Sequence, residues 1–310
     1  MKKIRIAVVG AGALGLYYGA MLQRGGHQVS FLLRRDYEVL RQNGLQVTTP
    51  AGDFHLSQID GYHETAAMPE VDLVLVGMKT FDNHRLVDLL SPLMANGAAV
   101  LTLQNGLGNE ELLAAAFGAE RVLGGIAFLC ANRGEPGTVH HLGQGPIRLG
   151  EFVGGLSPRA ETIAAQFSAA GIPCNAVADL VETRWEKLVW NIPFNGLCAL
   201  TRLPTDRLLA HKESRLLVRQ LMKEVVAGAN AQGLSQPIDG AAFIARMIEL
   251  TEPMGDYHPS MMLDRLAGRP LELDSIYVTP LQRAQEKGVE MPRVAMLQSL
   301  LALGEINQGL

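Results

Sequence analysis

The chain has 310 residues, 48% of them hydrophobic, with 27 Lys and Arg against 31 Asp and Glu for a formal net charge of −4. That length and apolar content suit two domains better than one, and a mildly acidic balance without long basic runs excludes nucleic acid and anionic membrane surfaces as partners. Three widely spaced cysteines, Cys130, Cys174 and Cys198, fit a reduced cytoplasmic protein and argue against a disulfide framework or a metal site.

Lys2 and Lys3 precede an apolar run, as in a signal peptide, but the run is short, contains Arg5 and leads at once into glycines. No targeting segment is therefore expected, and no stretch reaches the ~18 apolar residues of a membrane helix. Residues 4–9 read as a buried strand. Gly10, Ala11, Gly12, Ala13, Leu14 and Gly15 follow it and open a helix-like stretch over 16–22. The order strand, G-x-G-x-x-G, helix is the dinucleotide-binding fingerprint: Gly10 for the tight turn, Gly12 for approach of the pyrophosphate, Gly15 for close helix packing. The phosphates are expected on the free N–H groups of the helix N-terminus.

A second strand over 28–33 ends in Arg34-Arg35, where an NAD-binding unit ordinarily carries an acid about 20 residues past the glycines. Two guanidiniums suit a 2′-phosphate, which points to NADP. Two plainer readings stand beside it, solvated strand-end arginines or Asp36 as an NAD-type acid. Further strands are expected over 73–77, 99–104, 121–128 and 147–149, with 137–149 reading as a hairpin or mixed strands. Lys79 and Asn105 fall at strand ends on the ligand side of such a sheet. Each alone reads as an ordinary loop residue; together they are candidate cofactor contacts. Alternating strands and helices predict an α/β class with a Rossmann-type doubly wound sheet in a first domain over 1–178.

The rest, 179–310, reads as an all-helical domain for substrate and catalysis, with helices over 214–231, 241–250, 260–267, 273–285 and 293–303. A cleft between the halves is the expected reaction site. Lys187, Asn191 and Asn195 recur every fourth residue, so on a helix they share one face, although Pro193 removes a helical N–H between the asparagines. Spacing alone makes Lys187 a surface lysine; a desolvated lysine has a depressed pKa and becomes a proton donor. Farther on stand Ser260-Met261-x-x-Asp264 and Gly268-Arg269-x-x-Glu272-x-Asp274. Read locally, these are a helix cap and first-turn acids.

These segments, taken in order, resemble the ketopantoate reductases over nearly the whole chain. The resemblance implies NADPH-dependent reduction of 2-dehydropantoate to D-pantoate, a step towards pantothenate and coenzyme A. It also implies Lys187 as general acid, Glu272 as the catalytic glutamate, Asn191, Asn195 and Ser260 as substrate contacts, and Arg34, Lys79 and Asn105 as NADPH contacts. Tyr257 stands where the family often has an asparagine, which leaves open another branched 2-keto acid as substrate. A noncatalytic NADPH sensor is the alternative of a different class; an intact Lys187 and Glu272 weigh against it. No metal is expected. A homodimer is compatible with the apolar helical faces, which bury equally well in a core or an interface.

Overall fold

A computed structural model of the chain describes residues 3–34 and 36–306. They form two compact units, each described on its own. The first comprises the chain up to Gln104 together with Asn109–Leu180, and the second comprises Asn105–Gly108 with the chain from Val181 onward.

The first unit is built on strands β1 (Arg5–Val9), β2 (Gln28–Leu32), β3 (Leu45–Thr48), β4 (Phe54–Leu56), β5 (Asp60–Tyr62), β6 (Leu73–Val76), β7 (Ala99–Thr102), β8 (Val122–Arg133), β9 (Thr138–Glu151) and β10 (Cys174–Ala176). Their order in the sheet is β4-β3-β9-β8-β7-β6-β1-β2-β5, with β10 paired to β9. The run β5-β2-β1-β6-β7-β8 is parallel throughout. Counted among themselves, those strands stand in the 3-2-1-4-5-6 order of dinucleotide-binding sheets, whose direction of winding reverses between β1 and β6.

The central strands read as unbroken apolar runs because both faces are covered. Side chains alternate between faces, so Ile6 and Val8 join one buried cluster with Leu16 and Phe31, while Ala7 and Val9 join another with Leu86 and Leu90. The covering helices are α1 (Ala13–Arg24), α2 (Tyr37–Asn43), α3 (Leu86–Met94), α4 (Asn109–Phe117) and α5 (Pro158–Ala169).

Beyond the parallel run, β8 and β9 form an antiparallel hairpin, as the mixed reading of 137–149 anticipates. The segment expected as a strand over 147–149 is the end of the much longer β9. Strands β3, β4, β5 and β10 are not anticipated, because three or four residues carry too little alternation to stand out from loops.

The second unit is helical: α6 (Leu180–Thr201), α7 (Thr205–Ala210), α8 (Lys212–Asn230), α9 (Gly240–Thr251), α10 (Ser260–Leu266), α11 (Thr279–Glu286) and α12 (Pro292–Ile306). Its core gathers Trp185, Phe194, Val218, Met222, Ile248, Met261 and Tyr277 around α6, which runs unbroken through Pro193. The helix expected over 273–285 is present, opening with a π-type turn, Asp274–Val278, that runs directly into α11. In that turn the Thr279 N–H reaches the Asp274 carbonyl. The next bond in the same register would run from residue 280 to the Ser275 carbonyl, but residue 280 is proline and has no N–H. Ser275 O instead accepts from Leu107 N at 2.9 Å.

Candidate active site

In the first unit, β1 delivers the chain directly into the glycine fingerprint. Gly10 has φ 105°, and a Cβ there would overlap the Met78 backbone nitrogen. The loops leaving β1 and β6 thus meet at the point where the sheet reverses. A Cβ on Gly15 would overlap Gly10 O, whereas at Gly12 no atom of the described residues lies within 4 Å of the corresponding position. Gly12 is the N-cap of α1 and offers no capping side chain, so the first-turn N–H groups around Ala11, Ala13 and Leu14 remain available to an anion. An open backbone face bounded by two crowded glycines fits a dinucleotide pyrophosphate.

At the end of β2, the Arg34 side chain is 72% exposed and its Nη2 lies 3.8 Å from Asp82 Oδ2. Arg35 lies outside the described residues. Asp36, which could have served as an NAD-type acid, forms an ion pair with Arg133. Lys79 directly precedes the short helical turn Thr80–Arg85 after β6 and is half-buried.

Sequence reasoning missed a chain of amides at the end of β7. Thr102 Oγ1 donates to Gln104 Oε1 at 3.0 Å. Gln104 Nε2 donates to Asn83 Oδ1 at 2.7 Å, and Asn83 Nδ2 donates to Asn109 Oδ1 at 2.9 Å. Gln104 and Asn109 are both buried, so satisfied hydrogen bonds pin the backbone on either side of Asn105–Gly108. A run of polar residues straddling Gln104-Asn105-Gly106 is the sequence signal that could have revealed it.

Within the second unit, Asn105 and Lys187 come together: Lys187 Nζ donates to Asn105 Oδ1 at 2.8 Å. The Asn105 side chain, expected at the cofactor, holds the lysine ammonium here. Gly106 makes this possible, because at φ 80° its missing Cβ leaves room for the Ser275 carbonyl that anchors Leu107. Desolvation above all, and then the positive charge of Arg184, pull the Lys187 pKa from 10.5 down to about 7 against the opposing negative charge of Glu272. Glu272 is 2% exposed.

One turn farther along α6, Asn191 is 4% exposed and its Nδ2 has no hydrogen-bond partner among the described residues. A buried amide donor left unpaired costs about 1–3 kcal/mol, a cost that a ligand acceptor would relieve. Asn195 has a different task in this structure: its Oδ1 accepts from Met261 N at 3.3 Å. Pro259, at the N-cap of α10, offers no capping side chain, so Asn195 caps α10 from another helix and sets the position of Ser260 in its first turn. Asp264 pairs with Arg269 Nε at 2.9 Å, a structural role. The Tyr257 ring lies 6.2 Å from that of Trp190, and its carbonyl accepts from Thr205 N at 3.1 Å. Tyr257 therefore packs beside α6, the helix carrying Lys187.

The geometry has close counterparts among known proteins. The family model described as "Ketopantoate reductase PanE/ApbA" matches residues 6–154, and its C-terminal companion matches 179–305. A 2-dehydropantoate 2-reductase from Nostoc sp. is 44% identical over 302 residues, 96% of this chain and 94% of that protein. The crystal structure of 2-dehydropantoate 2-reductase from Geobacter metallireducens is 57% identical, with a TM-score of 0.95 over 96% of this chain and 99% of that one. A D-mandelate dehydrogenase solved with NADH and anilino(oxo)acetate shares the fold, with a TM-score of 0.91 at 22% identity, over 99% of this chain and 100% of that one.

Proposed function

We infer the reaction from one premise: this chain belongs to the ketopantoate reductase family. It is an oxidoreductase that reduces the 2-keto group of 2-dehydropantoate to the hydroxyl of D-pantoate with NADPH. When bound, NADPH supplies the hydride that reaches the keto carbon. The chain's own residues do the rest.

The observation that carries the residue assignment is the desolvated Lys187, held by Asn105 with a pKa near 7. Negative charge grows on the keto oxygen as the carbon is reduced. An ammonium there stabilises that charge and gives up its proton readily, because its pKa lies near working pH. Asn105 accepts one N–H of the ammonium and so fixes where the lysine stands. The carboxylate of Glu272 supports the protonated form. The unpaired Nδ2 of Asn191 is a donor for a substrate oxygen. Asn195 positions Ser260 through its cap on α10, and the Ser260 hydroxyl takes the substrate carboxylate. In the first unit, Gly10 through Gly15 seat the pyrophosphate, Arg34 carries positive charge for the 2′-phosphate of NADPH, and Lys79 contacts its ribose or nicotinamide.

None of the described helices is long and apolar enough to cross a membrane, and the cytoplasm is the proposed compartment. Self-association as a homodimer would use the exposed apolar face of α12, where Met296, Leu300 and Leu303 share one side; light scattering would test it. NADPH consumption measured across a panel of 2-keto acids tests the activity, with 2-dehydropantoate expected as the best substrate. A panel in which another branched keto acid is turned over far faster would overturn that assignment. Lys187→Ala should lower kcat by at least ~100-fold, the usual loss on removing a general acid. A variant with near-normal kcat would remove Lys187 from that role.

A further inference from the structure

Asp36 stands just past Arg34 at the N-terminal boundary of α2, where an aspartate ordinarily caps the helix. Its side chain makes no capping hydrogen bond. The carboxylate is paired with Arg133 Nη2, and the pair is sheltered, with side chains only 6% and 23% exposed. Arg133 ends β8, so the β8–β9 turn brings it to the end of β2 from a distant part of the sequence. That turn is packed onto α2: a Cβ on Gly137 would lie 3.0 Å from Val39 Cγ1. Asp36, Arg133, Gly134 and Pro136 line a pocket of about 260 Å³ at this place. All of these residues belong to the first unit.

In sheets of this topology an acid at the end of the second strand accepts from the adenosine ribose 2′-hydroxyl. The same carboxylate repels a 2′-phosphate, and like charges in a binding site are strongly disfavoured. The chain thus carries an acid of the NAD type within two residues of an arginine suited to NADP. We propose that Arg133 sets cofactor specificity by neutralising Asp36, so that the 2′-phosphate meets Arg34 without facing an uncompensated carboxylate. Arg133 is a positioning residue in this scheme, acting through Asp36 and not on the reacting atoms. The inference rests on the NADPH reading given above and extends it to a residue outside the glycine fingerprint.

Isothermal titration of the full-length protein with NADPH and with NADH, at a pH of about 8 where free carboxylates are ionised, tests the proposal. The set is wild type, Arg133→Gln, Asp36→Asn and the double variant. Arg133→Gln should raise the NADPH Kd by at least about tenfold and leave the NADH Kd unchanged or lower. Adding Asp36→Asn should restore most of the lost NADPH affinity, because the charge that Arg133 masks is then gone. Equal weakening towards both cofactors would show that Arg133 merely supports the turn, and would overturn the proposal, as would a double variant no better than Arg133→Gln. If Arg133→Gln does not fold, Arg133→Lys and Asp36→Asn alone decide: Lys must keep the NADPH preference, and Asn must not reduce it. A wild-type protein that binds NADH as tightly as NADPH would instead sink the cofactor assignment itself, which separates the two failures.

Discussion

The depressed pKa of Lys187 makes the pH dependence of the reaction a direct probe of the site. A general acid is active while protonated, so kcat/KM, which reports the free enzyme, should be level below about pH 7 and fall above it. With a pKa of about 7, the ammonium fraction is about one-tenth at pH 8 and about one-hundredth at pH 9. The expected loss is therefore about tenfold per pH unit. An ordinary exposed lysine would hold its proton to about pH 10.4 and give a flat profile across this range. Two neighbours should move the falling limb in opposite directions. Arg184→Gln removes a repulsive charge and shifts it to higher pH, whereas Glu272→Gln removes an attractive one and shifts it to lower pH. Initial rates of NADPH oxidation at saturating cofactor, from about pH 6 to pH 9.5, resolve these shifts. A wild-type limb that stays above about pH 9, or variants that shift the same way, would refute both the role of Lys187 and the electrostatic account. The same residue links pH to stability. Between about 7 and 10.5 the unfolded chain holds a proton that the native lysine has shed, so native stability should rise with pH across that window. Lys187→Met should abolish that contribution.

Three further outcomes are expected. Arg34→Ala should raise the KM for NADPH far more than that for NADH; equal effects would detach Arg34 from the 2′-phosphate. Asn191→Leu removes a buried unpaired donor, so thermal unfolding should show stability maintained or raised by up to about 1–3 kcal/mol, while the substrate KM rises. A loss of stability with unchanged KM would mark Asn191 as structural. Gly106→Ala places a Cβ against the Ser275 carbonyl at φ 80°. It should cost about 1–3 kcal/mol of stability and lower kcat, because the Asn105 partner of Lys187 moves; calorimetry and kcat measured together would check this.

Much of the architecture was legible because its signals are local. The glycine fingerprint sits in consecutive residues, and the four-residue recurrence of Lys187, Asn191 and Asn195 puts them on one helix without knowledge of any partner. What was hidden depends on contacts between residues distant in sequence. Lys187 and Asn105 are 82 residues apart, and no periodicity announces that an asparagine expected at the cofactor by family likeness would hold the lysine. The tie from Asn195 to Met261 spans 66 residues and turns one polar residue of the stripe into a cap. The π-type turn escaped notice for another reason: Pro280 was visible, but which carbonyl it would leave free depends on backbone register, which side-chain patterns do not encode. The short strands β3 to β5 were lost among polar residues because their pairing comes from neighbours in the sheet.

The excursion of Asn105–Gly108 into the helical unit bears on how this protein can be recombined. A crossover placed at the apparent junction near residue 180 looks clean in sequence, yet it would separate Lys187 from the asparagine that holds it and Ser275 from the amide that its carbonyl accepts. Chimaeras that exchange the first unit between relatives therefore import a foreign piece of the helical unit. Residues 105–108 should be inherited with α6 and the π-type turn, and functional hybrids should need two splice points around that tetrapeptide in addition to the one at the junction.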